Sequence, residues 1–438
     1  MKRRDFASFI MFLLIFSWST IDAEATTGKK VLPTNDGWAS QGEGTNGGSL
    51  ATPDDIYVVK SKKELIGALG GDNVQNGTND RPKIIYVKGL IDLNVDDNNQ
   101  PVEAEYYAEP HYDFETYLDT YNPDRWGYEN EVSGPVEEAR ARSQKNQQKE
   151  IVINIGSNTS IIGMGKKAEI RGGSLLLDSV KNIIIQNITF EAPIDFFPQW
   201  DPTDGEYGEW NSEYDNIAIT NGAHHIWINQ NTFHDGRYLD TDSGKYFGRT
   251  FQQHDGLLDV TNGANYITAS YNRFEDHDKV SLIGSSDSKT SDRDALKVTI
   301  HHNHYKNVTQ RLPRVRYGEV HVYNNLYEFD NLSEYPFEYA LGLGKESKIY
   351  AENNYFKFDA MIDPAKILKD WKGTSIYENG SIVQRKHLIQ KVDLVKAFNK
   401  VNSVQLDEDV NWKPLYHTKI HPVLSVPIQV QLKAGAGK

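Results

Sequence analysis

The sequence predicts an all-β chain: a right-handed parallel β-helix with long loop excursions and a C-terminal segment packed on the coil stack. Three observations carry this. An alternating run that closes in Asn and then an aromatic returns six times: IIIQNITF (183–190), HIWINQNTF (225–233), YITASYNRF (266–274), KVTIHHNHY (297–305), EVHVYNNLY (319–327) and KIYAENNYF (348–356). Its asparagines, Asn187, Asn231, Asn272, Asn303, Asn325 and Asn354, are separated by 44, 41, 31, 22 and 29 residues. A unit of variable length describes stacked coils whose loops grow outward, not an array of fixed period. Finally, no stretch rich enough in Gly, Pro or Ser interrupts the chain to mark a second domain.

The elements follow in order. Lys2, Arg3 and Arg4 precede the apolar run Phe9 to Phe16, and Ala23-Glu24-Ala25 supplies small residues, so residues 1–25 read as a secretory signal peptide. The run is well short of the roughly 20 residues that cross a bilayer. Residues 26–438 are expected to form a single domain. KSKKELIGALGG (60–71) reads as a short amphipathic helix and PKIIYVKGLIDL (82–93) as an entry strand. Residues 93–150 are acidic and tyrosine-rich and end in good helix formers, which suggests a surface excursion with one helix. From 183 to 356 each repeat is one coil. Asparagine suits the bends, since it tolerates left-handed backbone and its amide can bond to the same residue one coil on; the aromatics can stack inside. After about residue 360 the repeat fades, and LIQKVDLVKAFNKV (388–401) has helical spacing that would lay it across the stack.

Composition narrows the function. There are no cysteines, so disulfides, thiolate nucleophiles and thiolate metal sites are excluded. The formal charge is −14, which argues against a nucleic-acid partner. Without a membrane segment or any sign of assembly, a secreted, soluble monomer is expected. A polyanionic substrate would need a local basic patch or a bridging cation.

Such a patch exists. NVTQRLPRVRYGEV (307–320) holds Arg311, Arg314 and Arg316, and between His301 and Gly318 there is no acidic residue. Guanidinium groups match carboxylates with paired hydrogen bonds. Some of the arginines could instead brace acidic side chains on neighbouring coils, and Arg314 is the one expected to do so. Two acidic segments, WNSEYDNIAIT (210–220) and QQHDGLLDV (252–260), place Asp215, Asp255 and Asp259 without a neighbouring base. These could cap turns or, with water, form an open all-oxygen calcium site. If 255–259 were fully extended its ends would lie about 13 Å apart, so a shared ion requires Gly256 to bend. Lys279, in EDHDKVSLIGSSDS, either serves that same face or pairs with Asp276 or Asp278. His301, His302 and His304 sit in an alternating strand where at most His302 and His304 share a face, so packing is the expected role.

Taken together, FFPQWDPTDG…WNSEYDNI, QHDGLLDV, RFEDHDKVSLIGSSDS and VTQRLPRVRYG resemble polysaccharide lyase family 1, the secreted calcium-dependent pectate lyases, over roughly residues 150–360. The resemblance implies a Ca2+ cofactor held by Asp215, Asp255 and Asp259, with Asp204 a ligand of an additional ion that arrives with substrate. It implies Arg311 as catalytic base, and Lys279 and Arg316 as the groups holding substrate carboxylates. The implied reaction is β-elimination on α-1,4-linked polygalacturonate (pectate). An arginine base demands a lowered pKa, hence an expected alkaline optimum. Two rivals remain from the residues alone: a polygalacturonan hydrolase using paired aspartates, and a non-catalytic polysaccharide-binding β-helix.

Overall fold

The alternating strands, separated by left-handed corners, stack coil on coil rather than pairing as hairpins. In the computed structural model, which describes residues 28–330, 333–359 and 361–438, three parallel sheets result. They hold ten, eight and ten strands among the described residues. The first runs from Ile56–Val59 to Tyr377–Asn379, the second from Val152–Asn154 to Leu368–Trp371, and the third from Leu90–Asp92 to Leu388–Lys391. Only the last strand of the third sheet runs antiparallel, against Ile382–Arg385. One apolar core threads the stack from Val59 to Leu406. The expected signal peptide, residues 1–25, lies outside the described residues. Among the described residues no helix is long and apolar enough to cross a membrane.

The repeating Asn–aromatic signature divides into two ladders. Asn231, Asn272, Asn303 and Asn325 each pass a side-chain amide to the carbonyl oxygen of the next coil's asparagine, at 3.1–3.2 Å, ending on Asn354. Phe190, Phe233, Phe274, Tyr305, Tyr327 and Phe356 stack inside with centroids 4.5–5.1 Å apart, close to the ≈ 4.8 Å strand spacing. Asn187 is not part of the amide ladder. Its equivalents one coil on are Gln230, Tyr271 and His302, all at φ between 53° and 61°, and Ile188 occupies the ladder position. The left-handed corner and the Asn-to-Asn ladder therefore belong to adjacent residues, although Asn187 still reaches the neighbouring coil by donating its amide to the Gly163 (2.8 Å) and Gly165 (2.9 Å) carbonyls.

Several expectations change in detail. The helix Lys62–Leu69 forms, capped by Ser61. The entry strand is two strands, Lys83–Val87 and Leu90–Asp92, broken by the corner at Gly89. The coils outlast the repeat: Leu368–Trp371, Tyr377–Asn379 and Ile382–Arg385 make one more without the signature. Residues 388–401 form a strand and then the helix Leu394–Val401, which buries Leu394, Val395 and Phe398. The chain then crosses the first sheet, where Trp412 donates to the Lys348 carbonyl (3.0 Å) and His421 meets His302 (2.9 Å). A final helix, Val426–Lys433, covers Leu326 and Tyr355.

The excursion 93–150 is not a loose surface loop. Besides the helix Pro135–Ile151 it holds three short ones, Ala104–Tyr107, Phe114–Thr120 and Pro123–Trp126. Tyr117, Tyr121 and Val132 share an aromatic core with Trp200, Trp210 and Phe251. Trp200 and Trp210 belong to the hairpin Gln199–Asp201/Glu209–Asn211, whose tip carries Asp204. Arg140, buried against Glu137, donates to the Phe197 carbonyl (2.5 Å) and ties the helix to that hairpin.

Candidate functional site

Four consecutive coils bring the separated motifs to one corner. The Asn216 N–H donates to the Gly256 carbonyl, Leu257 to Val280, and Ser281 to the Arg311 carbonyl. Lys279 also pairs in register with Gln310, next to Arg311. Asp215, Asp255, Lys279 and Arg311 therefore lie at equivalent places on successive coils, although 40, 24 and 32 residues separate them in sequence.

Asp215 and Asp259 converge over Gly256. A Cβ there would stand 2.6 Å from Asp215 Oδ1 and 2.5 Å from Asp259 Oδ1. Gly256 is thus required for space rather than for the bend inferred from the sequence. Backbone N–H groups hold both carboxylates, Gly256 to Asp215 and Leu282 to Asp259, each at 2.8 Å. Asp255 turns the other way, with Oδ1 3.8 Å from Lys279 Nζ and 4.0 Å from Arg311 Nη1. Lys279 does not pair with Asp278, which is held by Gln252 (2.8 Å) and Gln310 (3.2 Å).

The corner is electrostatically loaded. Burial, followed by the Asp255 charge, pushes the Asp259 carboxyl up to about 7, with Arg311 partly offsetting. Burial and then the Asp259 and Asp255 charges drive Asp215 well above the carboxylate range. For Arg311 burial acts downward, but Asp255 and Asp259 outweigh it and raise the guanidinium above its ordinary value. The lowered pKa expected of Arg311 is therefore not a property of the cation-free corner.

Two crowded carboxylates facing an all-oxygen space have the chemistry a hard divalent cation relieves. In that respect Asp215 and Asp259 fit calcium, and Asp255 adjoins them. Among the described residues no three acidic or histidine side chains close into a ready metal cage. Lys279 and Arg311 also line a cleft of about 500 Å³, as do Asp204 and Glu209 of the hairpin.

The other two arginines exchange their expected roles as far as bracing goes. Arg316 Nε donates to Asp287 (2.8 Å), which Lys372 also contacts (2.6 Å), and Arg316 Nη1 donates to the Gly284 carbonyl (2.9 Å). Arg314 has no carboxylate partner among the described residues; it lies 4.2 Å over the Trp371 ring, and both line the cleft. The histidines pack, as expected, but not by strand parity. His302 is a left-handed corner residue bonded to His301 (2.8 Å) and His421, while His304 binds Glu328 (2.6 Å).

Sequence reasoning passed over His277. Its ring contacts Asp235 on one side and the carbonyls of Asp255 (2.8 Å) and Lys279 (3.0 Å) on the other, while Tyr335 donates to the second Asp235 oxygen. Burial opposes its charge, yet Asp235 more than compensates, raising it to about 9. A charged imidazole donating from both nitrogens thus clamps the backbone of two corner residues. Only a reading of EDHDK that placed His277 inward, between outward neighbours, would have found it.

Comparison with known proteins agrees with this architecture. The pectate lyase family model matches residues 129–402. A pectate lyase of Bacillus subtilis (strain 168) is 48% identical over 415 residues, 94% of this chain and 94% of the relative. Pectate lyase E of Dickeya chrysanthemi is 35% identical over 369 residues, 82% of this chain and 78% of its own. Among solved structures, the thermostable pectate lyase PL 47 superposes with a TM-score of 0.92 at 58% identity, covering 94% of this chain and 99% of that one. A pectate lyase bound to a hexasaccharide gives 0.87 at 47% identity, covering 94% and 98%. With the family's match spanning most of the coil stack, this chain belongs to the pectate lyase family.

Proposed function

We propose that this protein cleaves α-1,4-linked polygalacturonate by calcium-assisted elimination, releasing unsaturated oligogalacturonides. It acts outside the cell as a monomer once residues 1–25 are removed, with no nucleic-acid or membrane partner. The observation that carries the reading is the meeting of Lys279, Arg311 and Asp255 within 3.8–4.0 Å at the edge of a cleft.

Asp215, Asp255 and Asp259 would hold the primary calcium, and Asp204, which lines the same cleft as Lys279 and Arg311, would contribute to one that accompanies substrate. Bound there, calcium supplies electron withdrawal from a uronate carboxylate. Lys279 neutralises charge on that same carboxylate, which acidifies the adjacent C5–H bond. Arg311 accepts the C5 proton. The C–H electron pair becomes the C4–C5 double bond, the C4–O bond breaks, and the leaving oxygen takes up a proton. No water is added. Neutralising Asp255 and Asp259 removes the two largest of the charges that raise Arg311, so that burial weighs more heavily in the downward direction; a rate rising toward alkaline pH follows. Arg316, already braced by Asp287, holds a second substrate carboxylate.

The test mixes protein with polygalacturonate, with calcium or with excess EDTA, and follows ultraviolet absorbance of the conjugated product. Absorbance that EDTA abolishes and calcium restores is expected. Reducing ends without absorbance would instead identify a hydrolase, and neither signal a binder. Arg311→Lys should keep charge and fold yet lose most turnover.

A further inference from the structure

Among the described residues, the Arg314 guanidinium has no carboxylate in ion-pair contact. Its Nε is buried without a hydrogen-bond partner among the described residues. Burial and the charges of Arg316 and Arg311 pull it down to about 10, so the positive charge is under-compensated. Its placement is nevertheless built. Arg314 pairs in register with Gly342 on the next coil, and a Cβ on that glycine would stand 3.1 Å from both Cβ and Cγ of Arg314. The bare backbone at Gly342 lets the side chain lie across the coil and reach Trp371, which follows one coil further on. Lys369 Nζ lies 5.5 Å from the same ring. A flat aromatic face fixes the plane of the guanidinium and leaves its edge for a planar acceptor.

We propose that Arg314, oriented by Trp371, is a specificity-determining subsite that reads the free carboxylate of a uronate flanking the cleavage site. The partner is an acidic sugar ring of the same polymer, and a methyl-esterified ring, lacking the anionic oxygen pair, is discriminated against there. This rests on the elimination reading above. It assigns a role to the one arginine of the patch that the ion pairs leave free.

The test compares steady-state kinetics of wild type, Arg314→Gln, Arg314→Lys, Trp371→Leu and the Arg314→Gln/Trp371→Leu double variant on polygalacturonate and on highly methyl-esterified pectin. Thermal melts establish that each variant folds. Loss of one charge-assisted pair should raise KM on polygalacturonate roughly tenfold while kcat stays within about twofold. The preference for polygalacturonate over esterified pectin should shrink by the same factor. Arg314→Lys should recover part of the loss, and the double variant should be no worse than Arg314→Gln alone, because both act as one unit. An unchanged KM, or a fall in kcat at constant KM, overturns the proposal. If wild type produces no absorbance, the elimination reading fails instead. Calorimetric binding of hexagalacturonate to wild type and Arg314→Gln then decides the subsite by itself, equal affinities refuting it.

Discussion

Gly256 has no side chain, yet the corner depends on it. Substituting alanine drives a methyl group into two carboxylates at 2.5–2.6 Å. Gly256→Ala should shift the calcium midpoint of activity upward by roughly tenfold or more, at the scale of one displaced ligand, and a wild-type midpoint would contradict the assignment. Protonation gives a second handle. Asp259 titrates near 7 without the cation, so below that pH calcium must displace a proton. Calcium affinity should climb with pH by about tenfold per unit for each proton displaced as Asp259 titrates, with the raised Asp215 adding to the dependence, as calorimetry in buffers of differing ionisation heat can measure. The same shift affects stability in the opposite sense from an ordinary ion pair. Since the folded pKa is raised, the cation-free protein loses stability as pH rises from about 4 to 7, and calcium should restore it. Asp215, Asp255, Asp259, Lys279 and Arg311 were all legible as residues because their types and order are sequence properties. Which arginine meets an aspartate was not, since that depends on Asp287, on Trp371 and on Gly342 one coil on.

At the level of elements, the coil repeat was readable because each turn must satisfy the same backbone demands. Its inner logic was less so: Asn187 resembles the ladder residues by type but sits one position early. The two roles predict different costs. Asn303 bonds to Asn272, Asn325 and the Ala269 carbonyl, all buried. Asn303→Ala should destabilise by roughly 2–4 kcal/mol, because several buried groups lose their partners together. Asn187→Gly keeps a residue at ease with φ 61° but gives up partly exposed bonds to Gly163, Gly165 and Gly437, and should cost less, about 1–2 kcal/mol. Urea unfolding would rank them, and equal losses would mean the ladder adds nothing beyond the turn. The excursion 93–150 was legible as tyrosine-rich but not as a buttress. Its partners, Trp200 and Trp210, lie in another segment, and aromatic composition does not announce where rings will meet.

For the whole molecule, the C-terminal strap is the part whose attachment responds to pH. Burial and the neighbouring imidazoles of His301 and His421 push His302 down to about 2, and Lys433 acts in the same direction. His421 is also lowered, chiefly by burial. Both rings are neutral when folded, whereas the unfolded chain takes up protons below about 6.5. Their contribution is complete above that pH and is lost as pH falls through it. Protection factors for hydrogen exchange around residues 412–424, corrected for the intrinsic pH dependence of exchange, should fall between pH 7 and 5 while those of the central coils hold; uniform behaviour would refute a local effect. The last coil escaped sequence reading because its strands Tyr377–Asn379 and Ile382–Arg385 lack the signature, Ile382 packing instead against Val426 and Val430 of the final helix.

The site strands are the middle four of the eight in the second sheet, with two on either side. A stack held by nearest-neighbour contacts frays from its ends. Heating should therefore peel outer turns first, and catalytic competence should outlive the earliest spectroscopic signs of melting, sheltered like the heartwood of a trunk.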